Sequence, residues 1–183
     1  GKCYQAGDPT SETSFALQPT DGGWISILGI DSVLKMVPLA NQLLIFSTNG
    51  VWSISGSSAL GFTATDYTLD KLSSIGCLTP SSFLDIEGYP AWWTDEGIYT
   101  IEQDETSNEL RVVSISDDRI RTFVVAISAN SKRYAKGSYN SISKVATWIY
   151  NSGENTGDVE DNFVYDRALH LNTITGAWYT SSF

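Results

Sequence analysis

At 183 residues the chain has the size of one domain and enough length to bury a substantial core. With 42% hydrophobic and 17% charged residues it is neither a disordered polymer nor a charge-rich coiled coil. Its longest unbroken apolar run, Phe123 to Ile127, is far shorter than the roughly 20 residues of a membrane helix. A formal charge of −10 has the wrong sign for a protein that grips nucleic acid.

The opening Gly1-Lys2-Cys3-Tyr4 has no charged stretch leading into an apolar one, so no signal peptide is read there. Short strands are predicted at Trp24 to Leu28 and Val33 to Val37. A hairpin follows, from Leu43-Leu44-Ile45-Phe46-Ser47 through Thr48-Asn49-Gly50 into Val51-Trp52-Ser53-Ile54-Ser55-Gly56. Further strands are predicted at Tyr67 to Leu72 and Ser82 to Ile86. A second hairpin then runs from Pro90-Ala91-Trp92-Trp93-Thr94 through Asp95-Glu96-Gly97 into Ile98-Tyr99-Thr100-Ile101-Glu102. It aligns with the first without a gap at a spacing of 47 residues, Asn49-Gly50 against Glu96-Gly97. A Gly after a polar residue is expected to supply the positive φ of a tight hairpin turn. In a strand, adjacent Trp92 and Trp93 point to opposite faces, so at most one can be core; the other is either exposed for binding or, as expected here, packed between blades.

Arg111 to Ile115 reads as another strand. After Ser116, residues Ile120, Phe123, Val124 and Ile127 fall on one stripe of an amphipathic helix, with Ser116 as N-cap and Asp117 and Asp118 in the first turn. Asn130 followed by Lys132 and Arg133 marks its stop, and a strand over the β-prone Phe123-Val124-Val125 is the competing reading. A looser third copy of the hairpin begins at Ala146-Thr147-Trp148-Ile149-Tyr150 and resumes at Phe163-Val164-Tyr165-Asp166. The last hairpin joins Ala168 to Leu171 with Gly176 to Tyr179. The expected fold is therefore mainly β: antiparallel hairpin repeats over residues 1–183 as one β-rich domain. About three blade-like units form a partial or small propeller-like assembly with one short helix.

Motifs for chemistry are sparse. Cys3 and Cys77 are too far apart in sequence for a metal cluster or a disulfide framework and read as free thiols. The single histidine, His170, sits between Leu169 and Leu171 on the opposite strand face, without the strand-turn-helix setting of a nucleophile elbow. The acids from Glu154 to Asp166 lack the spacing of a calcium loop and read as a solvated acidic loop. No catalytic, metal or cofactor residues are assigned, and the chain is not expected to be an enzyme. Charge is uneven: residues 111–144 carry seven Lys and Arg against two Asp, net +5, while the remainder carries −15. Arg119, Arg121, Lys132, Arg133 and Lys136 are expected to face outward as a docking surface, with a solvated polar face as the alternative.

Several runs resemble tailed-bacteriophage virion proteins: Ala6-Gly7-Asp8-Pro9-Thr10-Ser11-Glu12, the stretch from Val37 to Gly56, Gly61-Phe62-Thr63-Ala64-Thr65-Asp66-Tyr67, Ser74-Ile75-Gly76-Cys77 with Pro80, and Asp95-Glu96-Gly97-Ile98-Tyr99. The pattern is similar to the tail nozzle, tail tubular or packaged-DNA stabilisation proteins of short-tailed phages, and it returns at Trp148-Ile149-Tyr150 and Phe163-Val164-Tyr165-Asp166. The resemblance implies β-propellers assembled as a homo-oligomeric ring below the portal. Its partners would be portal, adaptor or tail proteins, with DNA only as passing cargo and no membrane anchor. It also implies a place in the virion tail or neck after assembly in the host cytoplasm, and a chain that is a piece of a longer protein or a smaller relative. No functional residue carries over. The alternative function is a carbohydrate-binding or glycan-cleaving propeller at the tail tip, suggested by six Trp, nine Tyr and seven Phe.

Overall fold

A computed structural model describes residues 25–56, 66–104, 107, 109–117, 119–153 and 163–183. Cys3, the motif at 6–12, Trp24, residues 61–65, Asp118 and the acids from Glu154 to Asp161 lie outside them.

The described chain builds three four-stranded antiparallel sheets in sequence order. The first holds β1 (Val33–Leu39), β2 (Gln42–Ser47), β3 (Gly50–Ser55) and β4 (Thr68–Ser73). The second holds β5 (Leu84–Ile86), β6 (Tyr89–Trp93), β7 (Ile98–Gln103) and β8 (Leu110–Ser114). The third holds β9 (Lys136–Asn140), β10 (Val145–Tyr150), β11 (Arg167–Asn172) and β12 (Ala177–Ser182). Each strand pairs only with its sequence neighbours, so each sheet is a meander, the unit of a propeller blade. The fold is mainly β and propeller-like, as the composition and hairpins predict.

The two aligned hairpins share two of the hydrogen bonds that close their turns. Ser47 and Thr94 occupy the same place before the turn, and each hydroxyl donates to the carbonyl of the glycine three residues on, Gly50 at 3.2 Å and Gly97 at 3.0 Å. Each hydroxyl also accepts the backbone N–H two residues on, from Asn49 at 3.2 Å and Glu96 at 3.0 Å. A side chain that closes its own turn needs little from the rest of the fold, which suits a motif that recurs. The glycines differ from expectation in one respect. Gly97 does not have a positive φ; a Cβ there would instead lie 2.5 Å from the Ser116 hydroxyl, which accepts the Ile98 N–H at 2.9 Å.

The sheets stack face to face, and the middle one is buried on both sides. Towards the first sheet, Trp92, Tyr99 and Ile101 meet Leu44, Phe46 and Val51. Towards the third, Ala91, Trp93 and Ile98 meet Trp148, Tyr150 and Leu169. Both adjacent tryptophans are therefore buried between sheets, each in a different core, so the second one packs between blades as expected and is not exposed. β5 lies beside β9 and β4 beside β8, so successive sheets approach along first and last strands alike.

Three local expectations give way to packing. Residues 25–27 form no strand, although Ile25 and Ile27 pack on Ile45, Trp52 and Ile54 of the first sheet. The third hairpin resumes at Arg167, not at Phe163, because the β10 register pairs Tyr150 with Arg167. The predicted helix divides into α1 (Arg121–Ala126) and α2 (Ala129–Arg133). Ser116 does not cap α1, because its hydroxyl is held by β7; the N-cap is Ile120, which makes no side-chain cap bond. Ile127 turns extended at ψ 133°, and Ser128 starts α2 by accepting the Ser131 N–H at 3.1 Å. Of the expected apolar stripe, Val124 is fully buried and Ile120 and Ile127 partly so, whereas Phe123 remains 41% exposed.

Candidate functional site

Where the second and third sheets diverge, a pocket of about 400 Å³ opens between them. Its second-sheet side includes Ile86 and Tyr89 at the β5–β6 turn and Thr100 and Glu102 on β7. Ile115 and Arg119 follow from the segment after β8. Leu171, Thr173, Gly176 and Trp178 come from the β11–β12 hairpin. The register explains the convergence: Glu102 pairs with Arg111 and Thr100 with Val113 across β7–β8, while Leu171 pairs with Trp178 across β11–β12.

Several side chains of this pocket have partners that orient them. Trp178 stacks on Trp148 with centroids 6.0 Å apart at 23°, and Trp148 is anchored by its indole N–H donating to the Ser82 carbonyl at 2.9 Å. The Thr100 hydroxyl donates to the Pro90 carbonyl at 3.0 Å and is spent within its own sheet. Arg119 reaches across the cleft and donates from Nη1 to the Gly176 carbonyl at 2.6 Å. Glu102 holds Arg111 through Oε2 at 3.3 Å, an exposed pair of small energetic weight that nevertheless orients the carboxylate. Tyr89 stands at the mouth, 37% exposed.

The five basic residues expected to form one docking face do not act alike. Arg133 and Lys136 are exposed, and the Lys136 ammonium sits 5.3 Å from the centre of the Tyr165 ring. Arg121 is exposed and lies 3.8 Å from the Asp117 carboxylate one helical turn back. Arg119 is committed to the cleft. Lys132 contradicts the expectation outright: it is 2% exposed, and its ammonium donates to the Asp95 carbonyl in the β6–β7 turn at 2.8 Å. The break between α1 and α2 rotates Lys132 inward, where a turn carbonyl satisfies it, and burial pushes its amine below the usual lysine value. Four of the five are thus exposed, Arg119, Arg121, Arg133 and Lys136, with Arg119 also tied across the cleft to Gly176.

His170 lies on the outer face of the third sheet, while its neighbours Leu169 and Leu171 face the core, as the alternation requires. Its Nδ1 is 2.9 Å from the Thr147 hydroxyl and its Nε2 2.9 Å from the Ser181 hydroxyl, with Tyr179 stacked at 4.6 Å. Both ring nitrogens are thus occupied by hydroxyls of the neighbouring strands, and neither meets a carboxylate in these contacts. Desolvation pushes its pKa below the ordinary 6.5. The folded state then prefers the neutral ring, so its contribution is complete above 6.5 and is lost as pH falls through the lowered value. Thermal melts should therefore show stability declining on acidification below 6.5, with a shallower decline in His170→Asn. Identical pH slopes for the two proteins would refute this role.

Cys77 is buried, and desolvation raises its thiol to about 12, which makes it an inert core group. Asp166, the described end of the acidic run, accepts the Ser152 N–H at 2.7 Å. Among the described residues, no three His, Cys, Asp or Glu side chains group as metal ligands. No described helix is long and apolar enough to cross a membrane. The pocket was not foreseen from the sequence, where Trp178 reads only as a hairpin residue and Glu102 as a strand end. No family model matches the chain, and no curated protein matches it in sequence.

Proposed function

We propose that the chain is a structural module of a phage tail or neck, contributing propeller blades to a ring around the DNA channel. The observation that supports this reading best is where the aromatic residues are used. Phe46, Trp92, Trp93 and Trp148 are all fully buried between sheets, so these large side chains join one blade to the next. Among the described residues, the longest run that resembles phage virion proteins, Val37 to Gly56, falls on the β1–β3 segment, and the run from Asp95 to Tyr99 falls on the β6–β7 hairpin. A net charge of −10 suits a surface past which DNA slides without being held.

Assembly is the property to measure. Exposed charges of one sign are screened beyond about 8 Å at physiological salt, so a docking face built from Arg121, Arg133 and Lys136 weakens as salt rises. Sedimentation across a salt series is expected to show oligomers that dissociate at high salt. The triple variant Arg121→Ser, Arg133→Ser, Lys136→Ser should assemble more slowly with little change in melting temperature. A monomer at every salt concentration, or a variant that assembles like the parent, refutes the docking role.

A further inference from the structure

We propose that the pocket between the second and third sheets binds a neutral hexose residue of a glycan, an activity that goes beyond the structural role and does not depend on it. A pyranose ring presents an apolar C–H face and a rim of hydroxyls, each both donor and acceptor. The pocket offers the same division. Ile115, Leu171 and Trp178 line it with apolar surface, and Trp178 is supported from behind by Trp148. Tyr89, Glu102 and Arg119 add a hydroxyl, a carboxylate and a guanidinium.

Two of the polar groups, Arg119 and Glu102, have partners yet keep spare capacity. Arg119 spends one of its N–H donors on the Gly176 carbonyl, and Glu102 engages Arg111 through Oε2, leaving Oε1 to accept. Groups already immobilised lose little freedom on binding, which favours even a small ligand. Charge selects among ligand classes. An anion would gain from Arg119 but meet Glu102 and a chain of net −10. A cation would gain from Glu102 but meet Arg119 and Arg111. Hydroxyls satisfy carboxylate and guanidinium together at no charge cost. A volume of about 400 Å³ is at the small end of ligand pockets and suits one or two sugar rings.

The test uses methyl glycosides of glucose, galactose, mannose and N-acetylglucosamine as probes, read by ligand-observed NMR and tryptophan fluorescence. At least one is expected to saturate the protein with a Kd of about 1 mM. Glu102→Gln and Tyr89→Phe should each weaken it about tenfold while leaving the melting temperature unchanged. Trp178→Ala should abolish binding, and because it also removes the stack on Trp148, the two conservative variants carry the decision. Three results overturn the proposal: no glycoside saturating at about 100 mM, binding indifferent to Glu102→Gln and Tyr89→Phe, or glucuronic acid binding more tightly than every neutral sugar. Since assembly is read separately by sedimentation, loss of this proposal leaves the structural reading standing, and the reverse holds too.

Discussion

Replacing Trp92 by alanine is expected to lower the free energy of unfolding by about 3–5 kcal/mol, the usual cost of deleting a fully buried large aromatic. Trp92 is fully buried, edge-on to Phe46 at 4.9 Å, stacked with Phe83 at 5.9 Å and 6.5 Å from Tyr99. Those partners come from the first sheet, the segment before β5, and β7, so the cavity would open where the first and second sheets meet. Trp93→Ala should cost a similar amount by opening the opposite face, where Trp93 lies 5.6 Å from Tyr150. Phenylalanine separates the two positions. The Trp92 indole donates to the Gly76 carbonyl at 3.3 Å, whereas the buried Trp93 Nε1 has no hydrogen-bond partner among the described residues. Removing an unpaired buried donor recovers its desolvation cost. Trp93→Phe should therefore be milder than Trp92→Phe in urea melts. Near-wild-type stability of Trp92→Ala would mean that the first two sheets do not share a core.

Gly76→Ala is expected to cost about 3 kcal/mol, at the upper end for overpacking a site that cannot relax. A Cβ at Gly76 would lie 2.0 Å from the Thr48 carbonyl oxygen and 2.5 Å from its carbon, both backbone atoms of the β2–β3 turn. That turn cannot retreat freely, because Cys77 donates its N–H to the Ser47 carbonyl at 2.9 Å and Thr48 donates to Ser32 at 3.1 Å. Gly88→Ala is the control: its φ of +97° strains any side chain, but nothing lies within 4 Å of the added Cβ. Backbone strain alone costs about 1–3 kcal/mol, so Gly76→Ala, where the added Cβ meets backbone atoms, should be the worse variant. Equal melting temperatures for the two would show that the close approach of the first sheet to the entry of the second is not rigid.

The sheet elements were legible to very different degrees. β2, β3, β6 and β7 could be read directly, because alternation and a turn closed by Ser47 or Thr94 are local instructions. β9 could not. Its sequence Lys136-Gly137-Ser138-Tyr139-Asn140 is polar and carries no strand signal, and it is a strand because β10 offers a free edge for it to pair with. The segment 116–133 shows the same division within one element. The apolar stripe included Val124, which is fully buried, and Phe123, which is not, while the inward turn of Lys132 depends on the Asp95 carbonyl of a distant hairpin.

By itself, then, the sequence determined the hairpins, their repeat at a spacing of 47 and the mainly β class, since a strand's period and a turn's closure are settled by residues within a few positions. It also determined that Trp92 and Trp93 face opposite ways. Only the tertiary structure decided that both faces are covered, because coverage depends on sheets whose partner residues lie far along the chain, such as Phe46 on one side and Leu169 on the other. The same holds for the pocket. Glu102, Arg119 and Trp178 carry no shared motif, and they meet because the diverging second and third sheets leave a wedge that side chains do not fill.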